Sequence, residues 1–172
     1  MLFDAEGIDL ENWRDKVKAC GRRTNLDEIL DFVKETKPLN PIFVDCTASY
    51  DLPERYIDIF KAGMSIATPN KRANSMSMDF YRKLRETANN MHVRFLYETN
   101  VGAGLPIIDT LQNLFKSGDK LTGFNGIMSG SLSYIFGQLD DGAKFSEAVL
   151  EAKAKRYTEP DPRDDLKGTD VA

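Results

Sequence analysis

Short apolar runs alternate with amphipathic segments along the first hundred residues, and this alternation limits the chain to few folds. Residues 42–46 are a short, largely apolar run with no polar alternation, which is typical of a parallel strand buried on both faces. Residues 64–68 form a second such run, and residues 92–98 a third, with its apolar part from Val93 to Tyr97. Because segments with helical periodicity separate these runs, the pattern predicts an α/β fold with a largely parallel sheet.

Apolar residues at helical spacing predict helices between and after these strands. The predicted helices cover residues 8–20, 25–37, 52–62, 76–90, 106–116, 131–139 and 145–155, and a further strand is predicted at 120–128. Asn25 is the expected N-cap of the second helix, and Gly63 the expected left-handed residue that closes the third. Pro106 suits the first turn of its helix.

Bulk properties exclude several classes of protein. The 172 residues suit one domain, and a net charge of −4 argues against a nucleic-acid partner, which favours a basic face. No apolar stretch approaches a membrane span, and the first residues lack the features of a signal peptide. Cys20 and Cys46 have no CxxC spacing, so we expect a reducing, cytoplasmic location with no disulfide. Cys46 ends an apolar run and is expected to be buried.

The segment from residue 157 to 170 is rich in acidic residues and stiffened by prolines. Its carboxylates are Glu159, Asp161, Asp164, Asp165 and Asp170, and its prolines are Pro160 and Pro162. Carboxylates held close together repel one another unless a cation, hydrogen bonds or a ligand with an ammonium group offsets the repulsion. A plain acidic surface loop with Asp-Pro turns is the alternative interpretation.

Five stretches of the chain, in the same order, resemble the signature of homoserine dehydrogenases. They are residues 44–47 (VDCT), 68–73 (TPNKRA), 98–106 (ETNVGAGLP), 127–136 (IMSGSLSYIF) and 157–170 (YTEPDPRDDLKGTD). The amino-acid sequence of these stretches is most similar to the dehydrogenase half of bifunctional aspartokinase/homoserine dehydrogenases. The resemblance implies a partial Rossmann-type nucleotide-binding domain at 1–95. At 96–172 it implies the first part of an α+β catalytic and dimerisation region, with a sheet covered by helices.

That resemblance also implies an activity. Homoserine dehydrogenases interconvert L-homoserine and L-aspartate 4-semialdehyde with NAD or NADP, in the biosynthesis of threonine, methionine and isoleucine. A homodimer or higher homo-oligomer and a fused aspartokinase domain upstream are implied as well. The alternative from another class is a non-catalytic assembly module of the same enzyme, since an incomplete sheet leaves an open edge that invites partners.

Two segments that follow predicted strands are candidates for contacts with the cofactor. Thr47 follows the first strand, where open α/β sheets bind their ligands, although it could simply be a turn or N-cap residue. The resemblance implies that Thr47 and Ala48 lie along the nicotinamide nucleotide. It also makes Lys71 a catalytic contact of both cofactor and substrate, whereas the alternative is a solvated loop lysine. Arg72 is expected to be solvated.

The substrate site is expected in the second half of the chain. Gly130 and Ser131 open a predicted helix whose N-terminus could hold a carboxylate, unless Ser129 or Ser131 merely caps it. By resemblance, the substrate pocket also contains Tyr157, Glu159, Asp165 and Asp170. Its buried carboxylates would hold the ammonium group of homoserine through charge-assisted hydrogen bonds. Asp170 is in addition implied in catalysis.

The glycine-rich turn from residue 98 to 105 is a candidate cation site. Oxygen ligands such as a carboxylate and inward-facing carbonyls suit a hard cation, although a tight turn without an ion has the same sequence pattern. The resemblance implies a structural monovalent cation, such as sodium. Its ligands would be Glu98 and the carbonyl groups of Val101, Ala103 and Leu105.

Some features depart from the family pattern. Arg156 stands where relatives have glycine, at a position suited to a left-handed helix end and, in the family, to a nucleotide contact. The glycine fingerprint Gly-x-Gly-x-x-Gly is absent, and the family's proton-transferring lysine would lie four residues beyond Asp170. We therefore expect an internal fragment with negligible activity alone. A semialdehyde dehydrogenase using Cys46 as nucleophile is disfavoured, because His92 is expected to be structural, at the start of a strand.

Overall fold

Three short strands form a parallel sheet in the computed structural model, which describes residues 2–4, 6–20, 23, 25–127 and 129–168. The strands are β1 (Ile42–Val44), β2 (Ser65–Ala67) and β3 (Phe95–Leu96). Their order is β1-β2-β3, with Ile42 opposite Ser65 and Ile66 opposite Phe95. The predicted α/β class and parallel sheet are confirmed.

Helices connect the three strands, and further helices precede and follow the sheet along the chain. In the first half they are α1 (Trp13–Cys20), α2 (Leu26–Thr36), α3 (Tyr56–Lys61), α4 (Arg72–Ser75) and α5 (Met78–Asn90). In the second half they are α6 (Ile108–Lys116), α7 (Gly130–Asp140), α8 (Phe145–Ala154) and α9 (Pro162–Leu166). Single 3₁₀ turns precede α3, at Leu52–Arg55, and follow β3, at Glu98–Asn100. No helix among the described residues combines the length and the apolar character needed to cross a lipid bilayer.

The main core lies between one face of the sheet and helices α2, α3 and α5. Its buried side chains include Leu30, Val33, Tyr56, Ile59, Phe60, Ile66 and Leu84. Burying each large apolar side chain contributes about 1.5–3 kcal/mol, so this layer is the main stabilising unit. A smaller cluster of Ile135, Ala148 and Ala152 joins α7 to α8.

The first strand is covered on only one face. Ile42 and Val44 are 57% and 63% exposed, and Cys46 beyond them is also exposed. The prediction that this strand is buried on both faces, with Cys46 inside, is therefore wrong. A continuous apolar run does not tell whether both faces are covered, because that depends on distant elements.

The predicted strand at 120–128 is also wrong for the residues described there. Residues 120–127 form no strand, and Leu121, Phe124 and Ile127 are exposed. A strand is stable only when paired, and no described residue after Leu96 belongs to a strand. The sheet expected in the second half is therefore not formed by the described residues, which there build helices.

His92 does not begin a strand. It has a positive φ of 55° in the turn that closes α5. The Val93 N–H group donates to the Ala88 carbonyl at 3.0 Å, so Val93 still belongs to the turn that closes the helix. The strand therefore begins only at Phe95.

Candidate active site

A buried polar network lies where β1 and β2 end. The Tyr56 hydroxyl donates to Asp45 Oδ2 at 2.5 Å and lies 3.1 Å from Thr68 Oγ1. Asn70 Nδ2 donates to the same Asp45 oxygen at 3.3 Å. Burial of the hydroxyl, followed by the nearby Asp45 carboxylate, raises the pKa of Tyr56 far above its ordinary value. This network fixes the turn that leads into Lys71.

None of these network residues was singled out from the sequence. The signal was available, since Asp45 interrupts the first apolar run and Thr68 and Asn70 follow the second. Polar residues at the carboxyl ends of adjacent parallel strands meet at one edge of the sheet.

Lys71 meets the acidic segment of the chain. Its Nζ atom lies 3.0 Å from Oε1 of Glu159, although the two residues are 88 positions apart in the sequence. Both side chains are a little over one third exposed. The acidic segment is therefore not a loop directed into solvent, and a positive and a negative group face each other at one site.

Asp165 holds the acidic segment against the start of α7. Its carboxylate accepts the Ser131 hydroxyl at 2.6 Å and the Glu159 backbone N–H at 2.9 Å, and the residue is 2% exposed. The Ser131 and Ser129 hydroxyl oxygens lie 3.0 Å apart. Ser129 also accepts the Leu132 N–H at 3.1 Å and so caps α7. Two strong donors satisfy the buried Asp165 carboxylate and fix its position.

These residues line one open cleft of about 870 Å³ between the edge of the sheet and α7. The predicted site residues in its wall are Lys71, Val101, Ala103, Gly130, Ser131, Tyr157, Glu159 and Asp165. Thr47 and Ala48 are exposed beyond β1 and do not line the cleft, and the Thr47 N–H donates to Asp45 Oδ1 at 2.8 Å. Asp170 lies outside the described residues.

The wall of the cleft also contains Tyr81, Arg85 and Tyr134, which were not predicted. The Arg85 guanidinium carbon lies 3.3 Å from the centroid of the Tyr81 ring, and the guanidinium donates to Asn74 Oδ1 at 3.1 Å. Tyr157 packs edge-on against Tyr134, with ring centroids 5.0 Å apart. The spacing of Tyr81 and Arg85, four residues apart on a helix, could have indicated their contact.

Both carboxylate oxygens of Glu98 accept hydrogen bonds from the start of helix α6. One carboxylate oxygen accepts the Ile108 N–H at 2.9 Å and the other accepts the Asp109 N–H at 2.7 Å, so Glu98 caps the helix. In the turn between them, Gly102 and Ala103 have positive φ angles of 71° and 52°. A side chain at Gly102 would collide with Ile107. Among the described residues, no group of three or more His, Cys, Asp or Glu side chains is arranged to hold a metal ion.

Other charged residues of the acidic segment shape it. Asp161 caps α9 by accepting the Arg163 N–H at 3.0 Å and also pairs with the Arg163 guanidinium at 2.6 Å. These hydrogen bonds from Arg163 lower the pKa of Asp161 to about 2. Arg72 was expected to be solvated, and this is wrong. Its guanidinium carbon lies 3.7 Å from the centroid of the Tyr50 ring, so the side chain is stacked.

Comparison with known proteins agrees with this geometry. Residues 2–98 match the family model described as homoserine dehydrogenase, NAD binding domain. Residues 106–172 match the family model described as homoserine dehydrogenase. The parallel α/β sheet and the first match place residues 2–98 in the class of NAD-binding α/β domains. Both matches together show that the chain belongs to the homoserine dehydrogenase family.

Relatives and a solved structure show how much of such a protein the chain represents. It is 47% identical to the bifunctional aspartokinase/homoserine dehydrogenase of Haemophilus influenzae over 100% of this chain and 21% of that protein. It is 41% identical to the homoserine dehydrogenase of Schizosaccharomyces pombe over 98% of this chain and 46% of that protein. A hyperthermophilic archaeal homoserine dehydrogenase in complex with NADPH superposes with a TM-score of 0.69 at 29% identity, covering 83% of this chain and 43% of the other. The chain thus spans about a fifth of the bifunctional relatives.

Proposed function

We propose that this chain supplies the homoserine-binding cleft, and part of the NAD(P)-binding surface, of a homoserine dehydrogenase. The enzyme would interconvert L-homoserine and L-aspartate 4-semialdehyde. The observation that carries the proposal is the approach of Lys71 to Glu159 within 3.0 Å in a cleft that Asp165 also lines. Groups of opposite charge in one cleft suit a small amino acid, which carries both an ammonium and a carboxylate.

The acidic side of the cleft would hold the ammonium group of homoserine. Glu159 faces the cleft directly, and Asp165 fixes the Glu159 backbone and Ser131. Asp170 would add a further carboxylate. Gly130 and Ser131 at the start of α7 would receive the substrate carboxylate, because backbone N–H groups at a helix N-terminus favour an anion. Tyr157 would cover the bound substrate.

Lys71 would act on the other end of the substrate. Its ammonium group would lie beside the hydroxyl oxygen, where a positive charge stabilises the negative charge that develops as the hydroxyl proton passes to a base supplied by the rest of the enzyme. Thr47 and Ala48 are exposed at the carboxyl edge of the parallel sheet, the place where such sheets receive nucleotides, so they fit a nicotinamide nucleotide. The cofactor supplies the acceptor for the hydride of C4.

The glycine-rich turn would hold a structural monovalent cation such as sodium. Carbonyl groups of Val101, Ala103 and Leu105 would be its ligands together with Glu98. The left-handed conformation of Ala103 supports this proposal, because such a conformation is unfavourable for a residue with a side chain and needs compensation. Since both Glu98 oxygens accept N–H groups of α6, an ion would share this carboxylate with the helix.

The remaining proposals concern the larger protein. Fused aspartokinase domains in the bifunctional relatives support such a domain for this protein. We propose in addition a homo-oligomer and a cytoplasmic location. The NADPH complex of the archaeal neighbour supports NADP as well as NAD as cofactor.

A chimera tests the proposed function. The aligned segment of the Haemophilus influenzae relative is replaced by these 172 residues, and oxidation of L-homoserine is compared with that of 4-hydroxybutyrate, which lacks the amino group. We expect turnover of homoserine, and a KM raised by roughly tenfold or more in Glu159→Gln because the ammonium loses its charged partner. Glu147→Gln, at an exposed residue of α8, is the control. A folded chimera that oxidises both compounds equally well would refute the proposal.

A further inference from the structure

Three side chains meet beside the cleft, outside its wall. The Tyr50 hydroxyl donates to Asp164 Oδ2 at 3.3 Å, and the Arg72 guanidinium bonds the same hydroxyl. Arg72 Nη2 also lies 3.8 Å from Asp164 Oδ2, while its guanidinium plane covers the Tyr50 ring. Tyr50 follows β1, Arg72 begins α4 and Asp164 belongs to α9, so the contact joins the two halves of the chain.

Hydrogen bonds to buried residues hold both sides of this contact in place. The Arg72 N–H donates to Asn70 Oδ1 at 3.1 Å, and Asn70 Nδ2 donates to the Ser49 carbonyl at 3.0 Å, next to Tyr50. Asn70 is itself buried in the polar network of the sheet. On the other side, Asp164 precedes Asp165, whose buried carboxylate is bonded to Ser131 and to the Glu159 backbone.

The neighbours of these residues form the cleft. Lys71 precedes Arg72, and Asp165 follows Asp164; both line the cleft, as does Glu159. Tyr50, Arg72 and Asp164 do not belong to that wall in the part of the chain that the structure describes. We propose that Tyr50, Arg72 and Asp164 form a clasp that holds α9 against the turn after β2 and so sets the distance between Lys71 and Glu159. They are positioning residues and touch no reacting group.

Arginine is the residue type that this clasp needs. An exposed ion pair alone contributes little, because water screens it. Here the planar guanidinium stacks on a ring and bonds its hydroxyl at the same time, which lysine cannot reproduce. The Arg72 and Asp164 side chains are each about 30% exposed, which shields them in part from water. If the clasp opened, Lys71–Glu159 would be the remaining side-chain ion pair, among the described residues, between the turn after β2 and the acidic segment.

A distance measurement on the 172-residue chain tests the clasp without requiring activity. Nitroxides are placed on Cys46 and on Lys167→Cys, both exposed, in a Cys20→Ser background, and the distance distribution is recorded by pulsed electron resonance. We expect Arg72→Asp to broaden the distribution, and the charge swap Arg72→Asp with Asp164→Arg to narrow it again in part, because the swap restores the ion pair but not the stacking of residue 72 on the Tyr50 ring.

Two control variants sharpen this measurement. Arg72→Lys keeps the charge but loses the planar stacking, and should give an intermediate width. Arg163→Gln changes the neighbouring charge of α9, which pairs with Asp161 rather than with the clasp, and should leave the distribution unchanged. A distribution in Arg72→Asp that equals the parent's, or a charge swap that fails to narrow it, would overturn the proposal.

The kinetic consequence rests on the proposed function and is measured in the chimera. Arg72→Asp should raise the KM for homoserine about tenfold, since a displaced wall weakens binding, while the KM for NADP changes less than about twofold. The charge swap should recover part of the loss, since it restores the ion pair without the stacking. If the distance responds but the parent chimera has no homoserine activity, the proposed function fails and the clasp stands. If the parent is active and neither distance nor KM responds, the clasp fails.

Discussion

Arg156 has a backbone conformation that a side chain disfavours. It follows α8 with a φ of 60°, and the helix is closed by the Tyr157 N–H, which donates to the Ala152 carbonyl at 2.9 Å. Glycine reaches this conformation without the steric penalty. The sequence predicted this helix end because the family resemblance places glycine there, and the positive φ confirms it.

Replacing Arg156 by glycine should stabilise the protein. A left-handed residue with a side chain costs about 1–2 kcal/mol, and glycine removes this cost. Because glycine also makes the unfolded chain more flexible, part of the gain is lost, and we expect the free energy of unfolding to rise by about 1 kcal/mol. Urea unfolding measures the change. Arg156→Ala is the matched control, since it removes the guanidinium but keeps the penalty. An equal gain in both variants would show that the charge, and not the backbone, was responsible.

Residue types at the site were readable from the sequence, whereas their contacts were not. Glu159 and Asp165 could be singled out as candidate ligands from their acidic context and family motif. That Asp165 is buried and bonded to Ser131, with Glu159 facing Lys71, depends on how α7 and α9 pack. The Arg72–Tyr50 stacking was missed for the same reason.

At the scale of elements, most helices and the three strands of the sheet lie within a few residues of their predicted limits, whereas the strand predicted at 120–128 is not formed by the residues described there. Helical periodicity is local, so α5 and α8 end close to their predicted limits. Strands depend on partners, which explains the absence of the strand predicted at 120–128 from the residues described there. The five-residue helix α9 was not predicted, because its signals, the Asp161 cap and Pro162, lie within a segment interpreted as a ligand loop.

Helix α9 should lose stability in acid through Asp161. Hydrogen bonds from Arg163 lower the pKa of Asp161 from 3.8 to about 2 in the folded chain. A lowered pKa means that this stabilisation is complete above about pH 4 and is lost as the pH falls through about 2. Hydrogen exchange of the Asp164 and Lys167 amides measures it. In Asp161→Asn, which keeps a capping oxygen without the charge, this pH dependence should vanish, and its persistence would contradict the assignment.

Glu98 should determine the start of α6. Because its carboxylate accepts two N–H groups of the helix, Glu98→Ala should destabilise the first turn by about 1–2 kcal/mol. Faster hydrogen exchange at Ile108 and Asp109 is the expected result. Glu98→Gln retains one acceptor oxygen and should have a smaller effect. Unchanged exchange in Glu98→Ala would mean that these two bonds do not form in solution.

At the scale of the whole molecule, the account depends on the two halves of the chain meeting at one cleft. The parallel sheet carries Lys71 on the turn after β2, while α7 and α9 carry Ser131 and Asp165. No local pattern gives the distance between residues 71 and 159. The family resemblance implied a shared pocket, and the packing gives the distance of 3.0 Å between their charged atoms.

Zero-length carbodiimide cross-linking of the intact chain tests this meeting most directly, since it joins only an amine and a carboxylate in contact. The account predicts a Lys71–Glu159 amide, detected by peptide mass spectrometry and absent in Glu159→Gln. The Lys155–Glu151 pair, at 2.8 Å at the C-terminal end of α8, is the internal positive control. Formation of the control link without any link between Lys71 and Glu159 would contradict the account.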